Sequence, residues 1–167
     1  MTSTNQEDVH ARLVALENRV HQLEDYVAVL RLINSWGPAV DTGSSQEAGA
    51  LWDERGVLES DLSRLEGPAD VVAMVESEGQ QALIANGCAH VQSAPVVTVD
   101  GDQAVAIAYS QVFVHSEEGH EVWRVSANRW ECHRGPQGWR LTRRVNRVID
   151  GAPAARSVLV QAFDQES

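Results

Sequence analysis

Two histidines, one aspartate and a Ser-Ala-Asn run are the residues of this 167-residue chain best suited to moving protons. His90 opens a predicted strand over 89 to 99 and His115 closes the next, over 103 to 115. In a meander those ends lie toward one side of the sheet, so two imidazoles, the side chains most suited to proton transfer near neutral pH, could share a cavity. Asp41, at the end of a mainly apolar helix, is the carboxylate that could sit beside one of them; taken alone, it reads better as a polar residue ending a helix in a turn. Side chains alternate along a strand, which puts Ser126, Asn128 and Trp130 on one face of a third strand. Small polar groups buried there cost free energy unless they meet each other, a water or a ligand, and a polar pocket floor is one solution.

Other chemistries are excluded or disfavoured by the same reading. Cys88-x-His90 and Cys132-His133 have the look of metal ligands, but neighbouring strand residues point to opposite faces, so Cys132 and His133 cannot readily hold one ion. No metal is expected. All 13 basic residues are arginine, which rules out a Schiff base, a phosphate-loop lysine and pyridoxal attachment. Glycine-rich phosphate loops, a nucleophile elbow and a dinucleotide fingerprint are missing from the sequence, and no organic cofactor is expected. Arg134, Arg140, Arg143, Arg144 and Arg147 form a basic stretch in an acidic chain, best explained by pairing with acidic groups within or between subunits, with an anion-binding role as the alternative.

The elements that must position these residues can be read from periodicity. Val9, Leu13, Leu16, Val20, Leu23, Val27 and Leu30 recur at alternating spacings of four and three, the seam of a long helix that should continue to about Asp41. Charged residues around that seam before Tyr26 suit a contact between subunits as well as packing on the chain's own domain. Gly37-Pro38 predicts a kink or break just before Asp41. A short helix capped by Ser44 or Ser45 should run through Trp52, followed by a strand over 57 to 59, a loop over 61 to 66 and a helix over 67 to 86. Turn signals at Asp100-Gly101-Asp102, Glu117-Glu118-Gly119 and Gly135-Pro136-Gln137-Gly138 then mark four long antiparallel strands, over 89 to 99, 103 to 115, 120 to 134 and 138 to 149. A last short helix is expected over 152 to 163. Trp139 and Leu141 alternate with Arg140 and Thr142 and read as core. Helices followed by a meander predict an α+β domain with the helices covering one face of a curved sheet.

Composition bounds the partners. A hydrophobic fraction of 43% supports a packed core, and a net charge of −11 repels phosphate backbones and anionic lipid, so neither nucleic acid nor a membrane is an expected partner. The first residues, MTSTNQEDVH, lack the basic flank and apolar stretch of a secretion signal, and two cysteines are too few for a disulfide framework; a cytoplasmic location is expected.

Trp36-Gly37-Pro38-Ala39-Val40-Asp41, followed downstream by Ala89-His90, Val114-His115 and Ser126-Ala127-Asn128, resembles scytalone dehydratase and the wider SnoaL-like group of the NTF2-like superfamily, which includes hexachlorocyclohexane dehydrochlorinase and bile-acid 7α-dehydratase. The resemblance spans about residues 25 to 150. It implies an NTF2-like cone-shaped barrel, α+β, with N-terminal helices packed on a strongly curved, mainly antiparallel sheet around one deep pocket. Asp41 and His90 match the family's Asp–His dyad, His115 matches the dehydratase's second histidine, Ser126 and Asn128 match its polar substrate contacts, and Trp36 would line the cavity. The chain departs from scytalone dehydratase at Val40, where that enzyme has a tyrosine, and the strand over 57 to 59 lacks the second one. A relative acting on another substrate fits better.

The resemblance thus implies a cofactor-independent lyase, of dehydratase type, acting on a hydrophobic cyclic or polyketide-like small molecule. His90 would be the base, Asp41 would fix its tautomer, and His115 or protonated His90 would return a proton to the leaving hydroxyl. The alternatives are a non-catalytic ligand-binding protein of the same fold, and an isomerase or cyclase using the same base. The expected organisation is a helical extension over 1 to 24, the NTF2-like domain over 25 to 150 and a tail or short helix over 151 to 167. A homo-oligomer is expected: the family habit favours a trimer, and the seam would suit a dimer.

Overall fold

In the computed structural model, residues 2–162 are described, apart from the side chains of residues 2–5 and 7. The first element, α1 (Thr2–Asp41), is one helix of 40 residues. Its described side chains up to residue 24 are exposed, whereas Val29, Ile33, Trp36 and Val40, spaced by four, three and four, are buried against the rest of the chain. Asp25 marks the point where the helix reaches the body: its Oδ1 accepts hydrogen bonds from Arg134 Nη1 at 2.6 Å and Trp139 Nε1 at 3.1 Å.

The expected break at Gly37-Pro38 does not occur: Pro38 has no N–H to give the preceding turn and its ring crowds that turn's carbonyl, but Trp36 and Val40, buried on either side of it, hold the segment helical. The end of α1 is closed just beyond. Ser44 N donates to Ala39 O at 3.0 Å and Gly43 N to Val40 O at 3.2 Å, with Gly43 at φ 71°, the paired bonds of a Schellman cap. Thr42 adds its own N–H and hydroxyl to Pro38 O. Asp41 is therefore held as the last helical residue.

There follow α2 (Ser45–Ala50), β1 (Trp52–Glu59), β2 (Arg64–Glu66), α3 (Gly67–Glu76), α4 (Glu78–Asn86), β3 (Cys88–Gln92), β4 (Val96–Asp100), β5 (Gln103–Ser116), β6 (Gly119–Gly135), β7 (Gly138–Val148) and α5 (Pro153–Val160). The helix expected over 67 to 86 is two helices. Ser77 has extended backbone, donates its hydroxyl to Met74 O at 2.7 Å and accepts from Gln80 N, ending α3 and capping α4 at once. The strand expected over 89 to 99 is also two, because Pro95 cannot donate to a ladder. Trp52, expected in a helix, starts β1, and the expected loop over 61 to 66 ends in β2. The expected last helix is α5; Phe163 and the residues after it lie outside the described residues.

The strands form one seven-stranded sheet in the order β2-β1-β7-β6-β5-β3, with β4 also paired to β5. All pairs are antiparallel except β1 with β7, which is parallel. The sheet remains open, with β2 and β3 at its ends, so the cone is finished by helices rather than closed into a barrel. One face carries the main core of Val29, Ile33, Trp36, Val40, Trp52, Leu58, Val71, Val75, Trp130 and Leu141. On the opposite face α5 buries Ala155 and Val158 against Ala127.

The tightest contact between α1 and the sheet is at Gly37. A Cβ there would stand 2.2 Å from the backbone oxygen of His90, so only a glycine lets the helix come this close to β3. Gly37→Ala is expected to force the two apart and lower stability by about 1–3 kcal/mol, the usual range for overpacking. Gly79→Ala, with nothing within 4 Å of the added atom, is the control and should be neutral or mildly stabilising. Thermal or urea unfolding of both variants measures the difference.

Candidate functional site

Between the helices and the core face of the sheet lies a cavity of about 270 Å³. Trp36, Val40, Leu58, Leu65, Met74 and Leu83 supply apolar wall, and Gln80, His90, Gln92, Ser110, Arg124, Ser126, Arg144 and Asn146 supply polar groups. This mixture, mostly apolar with a few convergent polar atoms, is that of a small-molecule site. Ser126 Oγ, Gln80 Nε2 and Gln92 Oε1 are buried without a hydrogen-bond partner among the described residues. Trp123, half exposed, also lines it.

His90 and Asp41 meet at the wall. His90 Nδ1 stands 2.5 Å from Asp41 Oδ1, and the backbone N–H of His90 donates to Asp41 Oδ2 at 2.7 Å. Both oxygens of the carboxylate are thus fixed by one residue. A carboxylate can only accept, so Nδ1 carries a proton, and in the neutral ring Nε2 is then the nitrogen with the free lone pair. The approach at Gly37 makes this contact, because Asp41 lies one helical turn further along the same face.

Cys88, two residues before His90 and on the same face of β3, donates its thiol to Asp41 Oδ1 at 3.5 Å. Burial first, and the adjacent carboxylate second, push that thiol up to about 11, so it stays protonated near neutral pH. Donor atoms of Asp41, Cys88 and His90 lie within 4.8 Å of one another, close enough for a metal ion to bridge, but Asp41 Oδ1 is already taken up by the His90 ring and a cation would have to displace it. Sequence spacing hinted at Cys88 with His90, and Asp41 was expected beside His90; what the sequence did not suggest is that Cys88 shares that carboxylate.

His115 is placed elsewhere. Cα register pairs His90 with Val112 and Cys88 with Val114, so His115 falls on the opposite face of β5, exposed and 5.2 Å from the His120 ring. Strand ends that are near in space are not enough; an odd count from Val112 turns the side chain away. The structure therefore does not bring His90 and His115 into one cavity.

Ser126 and Asn128 share the core face of β6 with Trp130, as their spacing predicts, and both are buried. Ser126 lines the cavity. Asn128 lies just beneath and organises the groups around it: its Nδ2 donates to Ser110 Oγ at 2.8 Å, and its Oδ1 accepts from Arg144 Nε at 3.0 Å, Arg144 Nη2 at 2.8 Å and Asn146 Nδ2 at 2.7 Å. Trp36 lines the wall and packs edge-on against Trp52 and Trp130.

Arg144 is the residue that sequence reasoning misplaced. Arg134 pairs with Asp25 and Asp102, and Arg143 and Arg147 pair with Glu59, as acidic-surface pairing would have it. Arg144 is instead buried, with its guanidinium 4.1 Å from the Trp130 ring centre and 5.3 Å from that of Trp36, and no carboxylate meets it among the described residues. Burial, then the nearby charge of Arg124, lower it to about 9, still a cation at neutral pH. A β-bulge explains the misplacement. Cys132 pairs with Leu141 and Glu131 with Arg143, leaving Thr142 as an extra residue, so the inward face shifts from Trp139 and Leu141 to Arg144 and Asn146. Arg124 completes the polar end, donating to Asn146 Oδ1 at 3.0 Å and to Asp61 Oδ2 at 2.7 Å.

Comparison with known proteins adds kinship to this geometry. A family model described as a SnoaL-like domain matches residues 21–145. An NTF2-like protein with a cystatin-like fold from Novosphingobium aromaticivorans is similar over 88% of this chain and 96% of its own, at 38% identity and a TM-score of 0.86. The protein Aln2 from a Streptomyces species covers 80% of this chain and 96% of its own at 20% identity and a TM-score of 0.67. A Catenulispora acidiphila protein in complex with S-DNPA covers 77% and 96% at 17% identity and a TM-score of 0.66. These last two share the fold. No curated protein matches the chain.

Asp61 links the site to stability. Burial raises its carboxyl, but the Val148 N–H and the Arg124 guanidinium outweigh that and hold it below its ordinary 3.8. With the folded value below the unfolded one, the stability it contributes is present above about pH 4 and lost as pH falls through the folded value. Asp61→Asn should therefore lower the melting temperature at neutral pH and flatten its fall as the pH drops below about 4, measured by calorimetry across the acid range.

Proposed function

The chain belongs to the SnoaL-like family of NTF2-like fold proteins, which includes polyketide cyclases and dehydratases and binds small hydrophobic molecules, and from that premise we propose that it is a cofactor-independent lyase working by acid–base elimination. Its substrate would be a hydrophobic cyclic or polyketide-like compound bearing a hydroxyl β to a carbonyl. The observation that carries this reading is the Asp41–His90 pair on the wall of a largely apolar cavity.

In this mechanism His90 Nε2 takes the proton next to the carbonyl. Asp41 holds the ring in the tautomer that leaves Nε2 free and stabilises the imidazolium that forms, acting as a positioning residue. Negative charge then develops on the carbonyl oxygen, and the buried cation Arg144 at the polar end of the cavity favours it, with Ser126 and Asn146 as hydrogen-bonding groups nearby. Asn128 keeps Arg144 aimed, and Trp36 and Trp130 shield it from water. Protonated His90 returns its proton to the departing hydroxyl, and water leaves as the carbon–carbon double bond forms. His115, on the other face of β5, has no part in these steps. The cavity volume suits a compact substrate of one or two rings.

A second reading, isomerisation, rests on one observation: His90 is the only histidine among the described residues lining the cavity. A single base that removes a proton and restores it at another carbon needs no separate acid. The domain organisation proposed with either reading is a helical extension over 1 to 24, the NTF2-like domain over 25 to 150 and a C-terminal tail or short helix over 151 to 167.

Turnover of a panel of cyclic β-hydroxy carbonyl compounds tests both readings. His90→Ala should lower kcat by about 10²- to 10⁴-fold and Asp41→Asn by a similar factor, with the fold intact by circular dichroism. Unchanged turnover in both variants would remove the proposed base. Product mass separates the reactions, since elimination loses one water and isomerisation loses nothing. Arg144→Met should reduce kcat more than it raises KM, as expected for a group acting on charge that appears in the transition state. EDTA should leave the rate unchanged. A panel compound that raises the melting temperature without being consumed would instead mark a binding protein.

A further inference from the structure

The N-terminal part of α1 exposes its apolar seam. Val9, Leu13, Leu16, Val20, Leu23 and Val27 are each between 43% and 65% exposed, and the face that packs on the domain is a different one, carrying Asp25, Val29, Leu32, Ile33 and Trp36. The seam therefore points away from the chain's own body over about 30 Å of helix. It needs a partner of matching shape, because a continuous apolar stripe of this size is rarely left in water.

Heptad positions identify that partner. Setting Leu13, Val20 and Val27 at a puts Val9, Leu16, Leu23 and Leu30 at d, three unbroken heptads. Valine at two of three a sites with leucine at three of four d sites favours two strands. The flanking charges then fall into a pattern that no requirement of the monomer explains: Arg12 and Arg19 are both at g, and Glu17 and Glu24 are both at e. In a parallel pair, each g residue faces the e residue five positions later on the other helix. Arg12 then meets Glu17 and Arg19 meets Glu24, twice each by symmetry. An antiparallel pair would instead set g against g and e against e, arginine on arginine and glutamate on glutamate. Within the chain, none of these four side chains forms an ion pair among the described residues. A shallow groove lined by Val20, Leu23, Glu24, Val27, Ala28 and Arg31 lies along the same face.

We propose that the exposed seam of α1 is the interface of a parallel, in-register, two-stranded coiled coil with a second copy of this chain, its orientation fixed by the Arg12–Glu17 and Arg19–Glu24 pairs between the two helices. The pair is isologous, so it closes at two chains. Asp25, on the opposite face of the helix, ties each arm to its own domain through Arg134 and Trp139, so the coil and the domains are joined by one rigid element.

Light scattering on the full chain at tens of micromolar tests the stoichiometry. A mass of two chains is expected; one, three or four chains would overturn the proposal, one chain also being what a heterologous partner for this seam would give. Leu16→Glu with Leu23→Glu should give a single-chain mass with the tryptophan near-UV spectrum of the domain unchanged, and an undiminished dimer would place the interface elsewhere. Orientation is read by Leu16→Cys, where a parallel pair sets the two cysteines side by side and mild oxidation yields a covalent dimer. The unaltered chain, with Cys88 and Cys132 alone, is the control, and failure to crosslink selectively overturns the parallel register. Charge reversal then tests the pairing. Arg12→Glu with Arg19→Glu, and separately Glu17→Arg with Glu24→Arg, should each weaken self-association about tenfold to a hundredfold at low salt, and mixing the two variants should restore it. Association indifferent to both reversals would refute the assigned pairs.

Discussion

The contact on which the site depends is the approach of α1 to β3 at Gly37. Backbone meets backbone there, with the oxygen of His90 occupying the place a side chain would take. Asp41 lies one turn beyond, and the Schellman cap that ends the helix after it keeps it from unwinding. Both carboxylate oxygens are then engaged by a single residue of β3, through its backbone N–H and its ring. Helix position, strand position and the imidazole tautomer are set by one packing event, and loosening any of them loosens the others.

The polar end of the cavity follows a different constraint. A guanidinium buried without a carboxylate is costly, and the fold offsets the cost with the Asn128 side-chain oxygen and two indole faces. In a chain with a net charge of −11, this keeps a localised positive field inside while acidic groups neutralise the neighbouring arginines outside. An apolar wall with an imidazole on one side and a fixed cation at the other end would suit the proposed chemistry, in which a proton leaves carbon and charge collects on oxygen. Arg124 is tethered by Asp61 and contributes to the same field at a more solvated position.

Much of this was legible in the residues themselves. The long helix, the three turn signals of the meander and the α+β class follow from period and punctuation, which are local properties. The shared face of Ser126, Asn128 and Trp130 follows from strand alternation, since no bulge interrupts β6 between them. What was misread failed for equally local reasons. Ser77 and Pro95 divide elements that apolar periodicity alone would run together. Pro38 stays helical because Trp36 and Val40 are anchored in the core on either side of it. His115 is on the wrong face because the pairing of β3 with β5, and not nearness of strand ends, decides which side chains share a cavity.

By itself, then, the sequence determined the long helix, the meander and the α+β class, the candidate carboxylate and imidazole, and the apolar seam with the charges around it, all of which depend on spacing along one chain. Tertiary structure alone decided that Asp41 meets His90, that Cys88 joins them, and that Arg144 rather than Arg143 turns inward. Those outcomes depend on register and on one extra residue at Thr142, and a shift of a single position in a strand exchanges its two faces while leaving the pattern of residue types unchanged.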